Sequence, residues 1–210
     1  DDAADAVFER WHTAVDAGVD ALMLARGWAD VTALNTRARA AAIATGEVSG
    51  PVLLEVTART ASSRGRPETR DYRAGDVLMA KKNTRDLEVG GEAVRNGDRF
   101  QVIAATPDRS GLIVADLAGR GRTVLPAAYV ARHVEYGWAA TIDAAQGATT
   151  GIAVTLARPG LDREHLYVAM TRGRLENHLC TAPETPAADA GPHHDHGTKA
   201  TAAITATEVD

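Results

Sequence analysis

The chain has 210 residues, 45% hydrophobic and 24% charged, the make-up of a soluble globular protein of one domain, or of a domain with a small second one inserted. No apolar run approaches the ~20 residues of a membrane-spanning helix, and no charged-then-apolar leader opens the chain, so no membrane partner is expected. The net charge of −5 does not advertise the basic face of a nucleic-acid binder, and the single cysteine, Cys180, excludes an internal disulfide and fits a reducing cytoplasm.

The chain begins Asp1-Asp2-Ala3 without Met and reads as a piece of something longer. Residues 4–17 carry Val7, Phe8, Trp11 and Val15 three and four apart, which predicts an amphipathic helix ended by Gly18. Ala21–Ala25 is an unbroken apolar run, the mark of a strand buried on both faces. A second helix follows, with Asp30 as N-cap and Val31, Leu34, Ala38 and Ala41 on one face. Helix, buried strand, helix is the grammar of an α/β sheet.

The character changes after Gly50-Pro51. Residues 61–75 are polar and rich in Arg and Ser, and are read as a loop. From Gly75 to Tyr136 the pattern is short strands with tight turns: Asn96-Gly97 is a turn signal, followed by strands at Arg99–Thr106, Leu112–Leu117 and Thr123–Leu125. Together they predict a small β-barrel. The α/β grammar then returns, with strands at Gly137–Ile142 and Gly151–Leu156, a helix over Asp162–Met170 and a last strand at Asn177–Thr181. From Pro183 the chain is Ala, Thr, Pro and Asp with His193, His194 and His196, read as a disordered tail.

Two segments carry a functional signal. Tyr136-Gly137-Trp138-Ala139-Ala140-Thr141-Ile142-Asp143-Ala144-Ala145-Gln146-Gly147-Ala148-Thr149 resembles helicase motif V of RecD-like and conjugative relaxase helicases. About twenty residues later, Leu166-Tyr167-Val168-Ala169-Met170-Thr171-Arg172-Gly173-Arg174 resembles their motif VI, and Val31–Arg39 is similar to their motif IV helix. Gly75-Asp76-Val77-Leu78 and Arg95-Asn96-Gly97-Asp98 are similar to the SH3-like subdomain of these motors. The resemblance spans residues 7 to 182.

It implies an α/β fold: a RecA-like lobe of the P-loop NTPase type, itself without a P-loop, formed by residues 1–60 and 136–182, with an SH3-like barrel, 61–135, inserted and a tail at 183–210. It implies ATP-driven translocation on single-stranded DNA and duplex unwinding, in conjugative transfer or in recombination and repair. ATP and Mg2+ would serve the complete motor, with the metal ligands outside this segment.

An arginine set against a phosphate undergoing transfer stabilises the charge that develops, an effect on the order of 10³ to 10⁵ in rate. By resemblance Arg172 is that catalytic finger, and a solvated arginine at a helix C-terminus is its plain alternative. Gln146, Gly147 and Arg39 would face ATP, with Gln146-Gly147 at a strand-to-helix turn whose free amides suit an anion. Thr141 and Asn35 would contact DNA; a threonine hydroxyl can hold a backbone phosphate without reading sequence. Asp143 departs from the family, which usually carries His there.

Nowhere is there a G-x-x-x-x-G-K-[ST] loop to cradle phosphates, so this segment alone is expected to be inactive and to need an upstream P-loop lobe, in cis or in trans. The rival reading is a non-catalytic DNA-binding or protein-docking remnant of a truncated relaxase-helicase.

Overall fold

A computed structural model describes residues 2–60, 62–63 and 65–181. The tail and its three histidines lie outside the described residues. Helix α1 (Asp2–Asp16) buries Ala3, Val7, Phe8, Trp11 and Ala14 along one stripe, carries Asp2 and Asp5 in its first turn, and is followed by Gly18 at φ +75°. Trp11 Nε1 donates to Ala21 O at 3.3 Å, fixing the helix on strand β1 (Ala21–Ala25), all five residues of which are buried. Helix α2 (Trp28–Thr45) ends on Gly46 in the left-handed conformation, whose N–H bonds Ile43 O. Its N-cap is Gly27; Asp30, expected there, lies in the first turn and pairs with Arg158 at 2.9 Å.

The segment read as a loop, residues 61–75, contains a strand from Glu68 to Ala74. Strand β2 (Ser49–Ala58) pairs antiparallel with β3 (Glu68–Ala74). Then come β4 (Val77–Ala80), β5 (Thr84–Val89), β6 (Glu92–Val94), β7 (Arg99–Ala105), β8 (Gly111–Asp116), β9 (Arg122–Pro126), the short helix α3 (Ala127–His133) and β10 (Val134–Tyr136). Five of these strands form one antiparallel sheet in the order β10-β4-β7-β8-β9, while β2-β3 and β5-β6 are separate ribbons. Leu54, Val56 and Ala58 of β2 share a core with Tyr72, Phe100, Val102, Leu112 and Leu125, so apolar material before residue 61 packs with the antiparallel strands.

Strand β11 (Ala139–Thr141), β12 (Thr150–Ala157), helix α4 (Arg163–Ala169) and β13 (Gly173–Thr181) complete the described residues. The second sheet is parallel, ordered β11-β1-β12-β13, and makes the fold a mixed α/β one. Helices α1 and α2 pack on Ala21, Met23 and Ala25 of β1, while Leu22 and Leu24 on its other face meet Ile142, Ala145, Met79 and Ala169. At the passage from antiparallel to parallel sheet, Gly137 N donates to Val77 O, and a Cβ on Gly137 would lie 2.7 Å from the Leu78 carbonyl carbon. A side chain there would force the two sheets apart.

Charged groups stitch the two sheets together. Arg39 on α2 bonds both carboxyl oxygens of Asp71 (3.1 and 3.0 Å) and of Asp76 (2.8 and 3.0 Å), with its guanidinium 5.0 Å from the Tyr136 ring centroid. Within the antiparallel part, Arg70 on β3 is buried against Glu135 at 2.6 Å and also reaches Ser62 and Glu68. Arg99 bridges Asp20 at 2.8 Å and the carbonyls of Gly137 and Ala21.

Candidate functional site

The two motif-like segments meet at one turn. After β11 the chain makes consecutive turns through residues 142–147 and enters β12, so Gln146-Gly147 leads into a strand rather than the expected helix. Ala145 N bonds Thr141 O and Ala148 N bonds Ala145 O, and Gly147 takes φ +90°. Gln146 and Gly147 are exposed on this turn.

Arg172 lies three residues beyond α4 and reaches back to the same turn. Its Nη1 donates to Ala148 O at 3.1 Å and to Ala145 O at 3.4 Å, its Nε to Val168 O at 2.9 Å, and its Nη2 to Thr171 Oγ1 at 2.8 Å. One half-buried guanidinium therefore ties the end of α4 to the turn carrying Gln146 and Gly147. Arg172, Gln146 and Gly147, grouped on resemblance alone, are also grouped in space.

Arg39, Asn35 and Thr141 are placed differently. Arg39, implied at an ATP cleft, has its guanidinium occupied by Asp71 and Asp76 at the junction of the sheets. Arg37, two residues earlier, pairs with Asp5 and Glu9 and lies 4.0 Å from the Phe8 ring centroid. Thr141 is buried, and its Oγ1 accepts from Ala144 N at 3.2 Å, capping the turn from within.

Asn35 is buried too: its Oδ1 accepts from Trp138 N (3.1 Å) and Ala139 N (2.9 Å), and its Nδ2 donates to Ala139 O at 2.9 Å. Strand β11 is the sheet's outer strand, and the Asn35 amide bonds the backbone that a further strand would otherwise satisfy. Asn35→Ala is expected to lower folding stability by about 3 kcal/mol, because buried backbone groups lose their partners. Urea unfolding would read this, and Asn35→Asp should not restore it, since a carboxylate cannot donate to Ala139 O.

The carboxyl end of the parallel sheet carries a charged relay that sequence reading missed. Asp143 Oδ1 lies 3.2 Å from His165 Nε2, and the other ring nitrogen lies 2.7 Å from Asp162, the N-cap of α4. Arg26 pairs with Asp162 at 3.6 Å and with the Gly160 carbonyl. The imidazole that the resemblance would put at position 143 thus comes across the gap from α4. Hydrogen bonding to Asp162 raises the His165 pKa above the ordinary histidine range, with Asp143 adding to this and Arg26 opposing it.

A raised folded-state pKa contributes stability that is complete below the unfolded value, about 6.5, and is lost as pH rises through the folded value. The melting-temperature gap between wild type and His165→Ala should therefore be widest just below pH 6.5 and close at higher pH. Asp143→Asn should lower the His165 pKa in a ring-proton NMR titration. An unmoved titration would remove Asp143 from the relay.

Among the described residues no helix is long and apolar enough to cross a membrane. No protein-family model matches the chain. It is 33% identical over 179 residues to a conjugal transfer protein TraA of Agrobacterium fabrum, a match covering 85% of this chain and 15% of that protein. With a probable conjugal transfer protein TraA of Sinorhizobium fredii it shares 30% identity over 164 residues, 78% of this chain and 14% of that one. An uncharacterized protein of Mycobacterium tuberculosis is 33% identical over 109 residues, 51% of this chain and 62% of its own length.

Among solved structures, Pif1 helicase from Candida albicans is similar over 80% of this chain and 46% of its own, at 15% identity and a TM-score of 0.49. Bacteroides Pif1 helicase in complex with ADP-AlF3 and ssDNA is similar over 77% and 40%, at 18% identity and a TM-score of 0.48. The chain spans about 15% of the length of the TraA relatives it matches. Over most of its length it is a distant homologue of one segment of the TraA conjugal transfer proteins.

Proposed function

We propose that this chain is the second, RecA-like lobe of an ATP-driven DNA motor of the RecD-like kind, with the strands between residues 49 and 136 as its SH3-like insert. The observation that carries the proposal is the Arg172 clasp. A permanently charged guanidinium, with four N–H groups engaged by its own fold and one on Nη2 open, and the exposed Gln146 side chain converge on one turn, which supports a charge and donors for a phosphate across an inter-lobe cleft. The homology with conjugal transfer proteins supports a role in moving DNA between cells.

The donor set suits the phosphate end of ATP, and nothing more of the nucleotide is assigned to this chain. A partner lobe would supply the phosphate cradle and the Mg2+ ligands. Arg172 would stabilise charge on the transferring phosphoryl group, and Gln146 would relay its state to the turn. With Asn35, Thr141 and Arg39 engaged internally, their part in this reading is to hold β11, the turn and the inter-sheet junction in place.

The test is a chimera in which this segment replaces its counterpart in a full-length TraA relative. DNA-stimulated ATP hydrolysis within tenfold of the parent is expected. A chimera that folds and binds single strands but hydrolyses no ATP in response would overturn the proposal and favour a docking remnant.

A further inference from the structure

Helix α4 grips the 142–148 turn from both of its ends. Just past its carboxyl end, Arg172 donates to Ala145 O and Ala148 O in the trailing part of the turn. From its first turn, His165 reaches the leading part, with Nε2 3.2 Å from Asp143 Oδ1. The two ties differ in kind. A guanidinium stays charged at any ordinary pH, whereas an imidazole changes its charge close to neutrality.

The ring of His165 lies between two carboxylates, one at each nitrogen. Its Nδ1 is 2.7 Å from both oxygens of Asp162, which also accepts from His165 N at 2.9 Å. Carboxylates only accept, so both contacts need an N–H, and only the imidazolium carries two. Once neutral, the ring keeps its one N–H on the nearer Asp162 and turns a lone pair toward Asp143. An attractive contact becomes a repulsive one. Arg26, paired with Asp162 at 3.6 Å, is the further charged group acting on the ring, and it opposes the proton that the two acids favour. Among the described residues the Asp143 carboxylate, 76% exposed, has no ion-pair partner besides His165.

We propose that the His165 imidazolium is a positioning residue for this turn, holding its leading end through Asp143 so that Gln146 stays presented together with the Arg172 guanidinium. Deprotonation frees that end while the Arg172 tie persists. The inference deepens the motor reading and rests on it: as pH rises through the His165 titration, the joint presentation of Gln146 and Arg172 weakens, and phosphate sensing weakens with it.

The experiment follows amide exchange at Ala145, Gln146 and Ala148, whose N–H groups bond within the turn, in the whole chain. Exchange is read on both sides of the His165 ring-proton titration and corrected for the intrinsic rate. Wild-type protection should fall roughly two- to fivefold as His165 loses its proton, the reach of an exposed charge pair. His165→Arg supplies N–H groups to both acids at every pH and should keep the turn protected throughout. Asp143→Asn should flatten the profile too, because an amide donates to the lone pair of the neutral ring. His165→Ala should sit at the low level at every pH. In a TraA chimera, kcat for DNA-stimulated ATP hydrolysis should follow the same titration in wild type and lose it in His165→Arg.

Wild-type protection that stays flat across the measured titration would overturn the proposal, as would an equal fall in His165→Arg or in Asp143→Asn. Turnover that ignores the titration while protection follows it would overturn the part given to His165 in the reaction. Either failure beside a chimera that hydrolyses ATP leaves the motor reading standing. The expected protection profile beside a chimera that hydrolyses none supports the tie and removes the motor reading alone.

Discussion

Arg172→Ala, introduced into a TraA chimera carrying this segment, is expected to reduce DNA-stimulated ATP turnover about a thousandfold. The figure is the lower end of what an arginine finger contributes, and corresponds to about 4 kcal/mol in the barrier. Because the side chain also ties α4 to the 142–148 turn, part of any loss could come from a loosened turn. Arg172→Lys separates the two effects. Lysine keeps a charge but cannot hold three separate carbonyls from two nitrogens and still leave an N–H open to a phosphate. Turnover should remain at least a hundredfold down in the lysine variant, with ATP affinity changed only a few-fold. A loss in kcat with binding retained is the signature of a contact made in the transition state. Turnover within a few-fold of wild type in either variant would return Arg172 to the role of a helix-end brace.

Much of the α/β frame was legible because its signals are local. Five consecutive apolar residues at 21–25 are all buried, and the three- and four-residue spacing of α1 matches its buried stripe. Strand β3 was not legible, since its buried residues include Arg70, an arginine that looks solvent-facing until Glu135 arrives from sixty-five positions away. Helix α3 is two turns long with one buried residue, Val130, too little for a periodic signal. The candidate site divides in the same way. Arg172, Gln146 and Gly147 sit in contiguous strings, and resemblance could group them. Asn35 and Thr141 belong to equally recognisable strings, yet their atoms are engaged by backbone at 138–139 and 144, and a string of letters does not show which way an amide or hydroxyl points.

Arg39→Ala is expected to cost about 3–5 kcal/mol of folding stability, the range for breaking a buried ion pair by removing one partner. Asp76 is fully buried and Asp71 is partly exposed, so the burden falls unequally. Burial pushes the Asp76 carboxyl above its ordinary range even with Arg39 opposing, whereas hydrogen bonding to Arg39 holds Asp71 below it. Without Arg39, Asp76 must stay charged without its cation or take up a proton. A carboxyl whose folded pKa exceeds its unfolded value, about 3.9, binds more protons when folded, so stability falls as pH rises through that window. The penalty in Arg39→Ala should therefore shrink as pH drops from 7 toward 5, measured as the difference in urea-unfolding free energy from wild type. Removing the charge directly supplies the complementary check. Asp76→Asn in the Arg39→Ala background should recover a large part of the loss and flatten its pH dependence, because the amide oxygen can still accept from Arg73 N, which bonds Asp76 at 2.7 Å. A double variant no more stable than Arg39→Ala alone would mean that Arg39 acts by packing against Tyr136 rather than by neutralising Asp76.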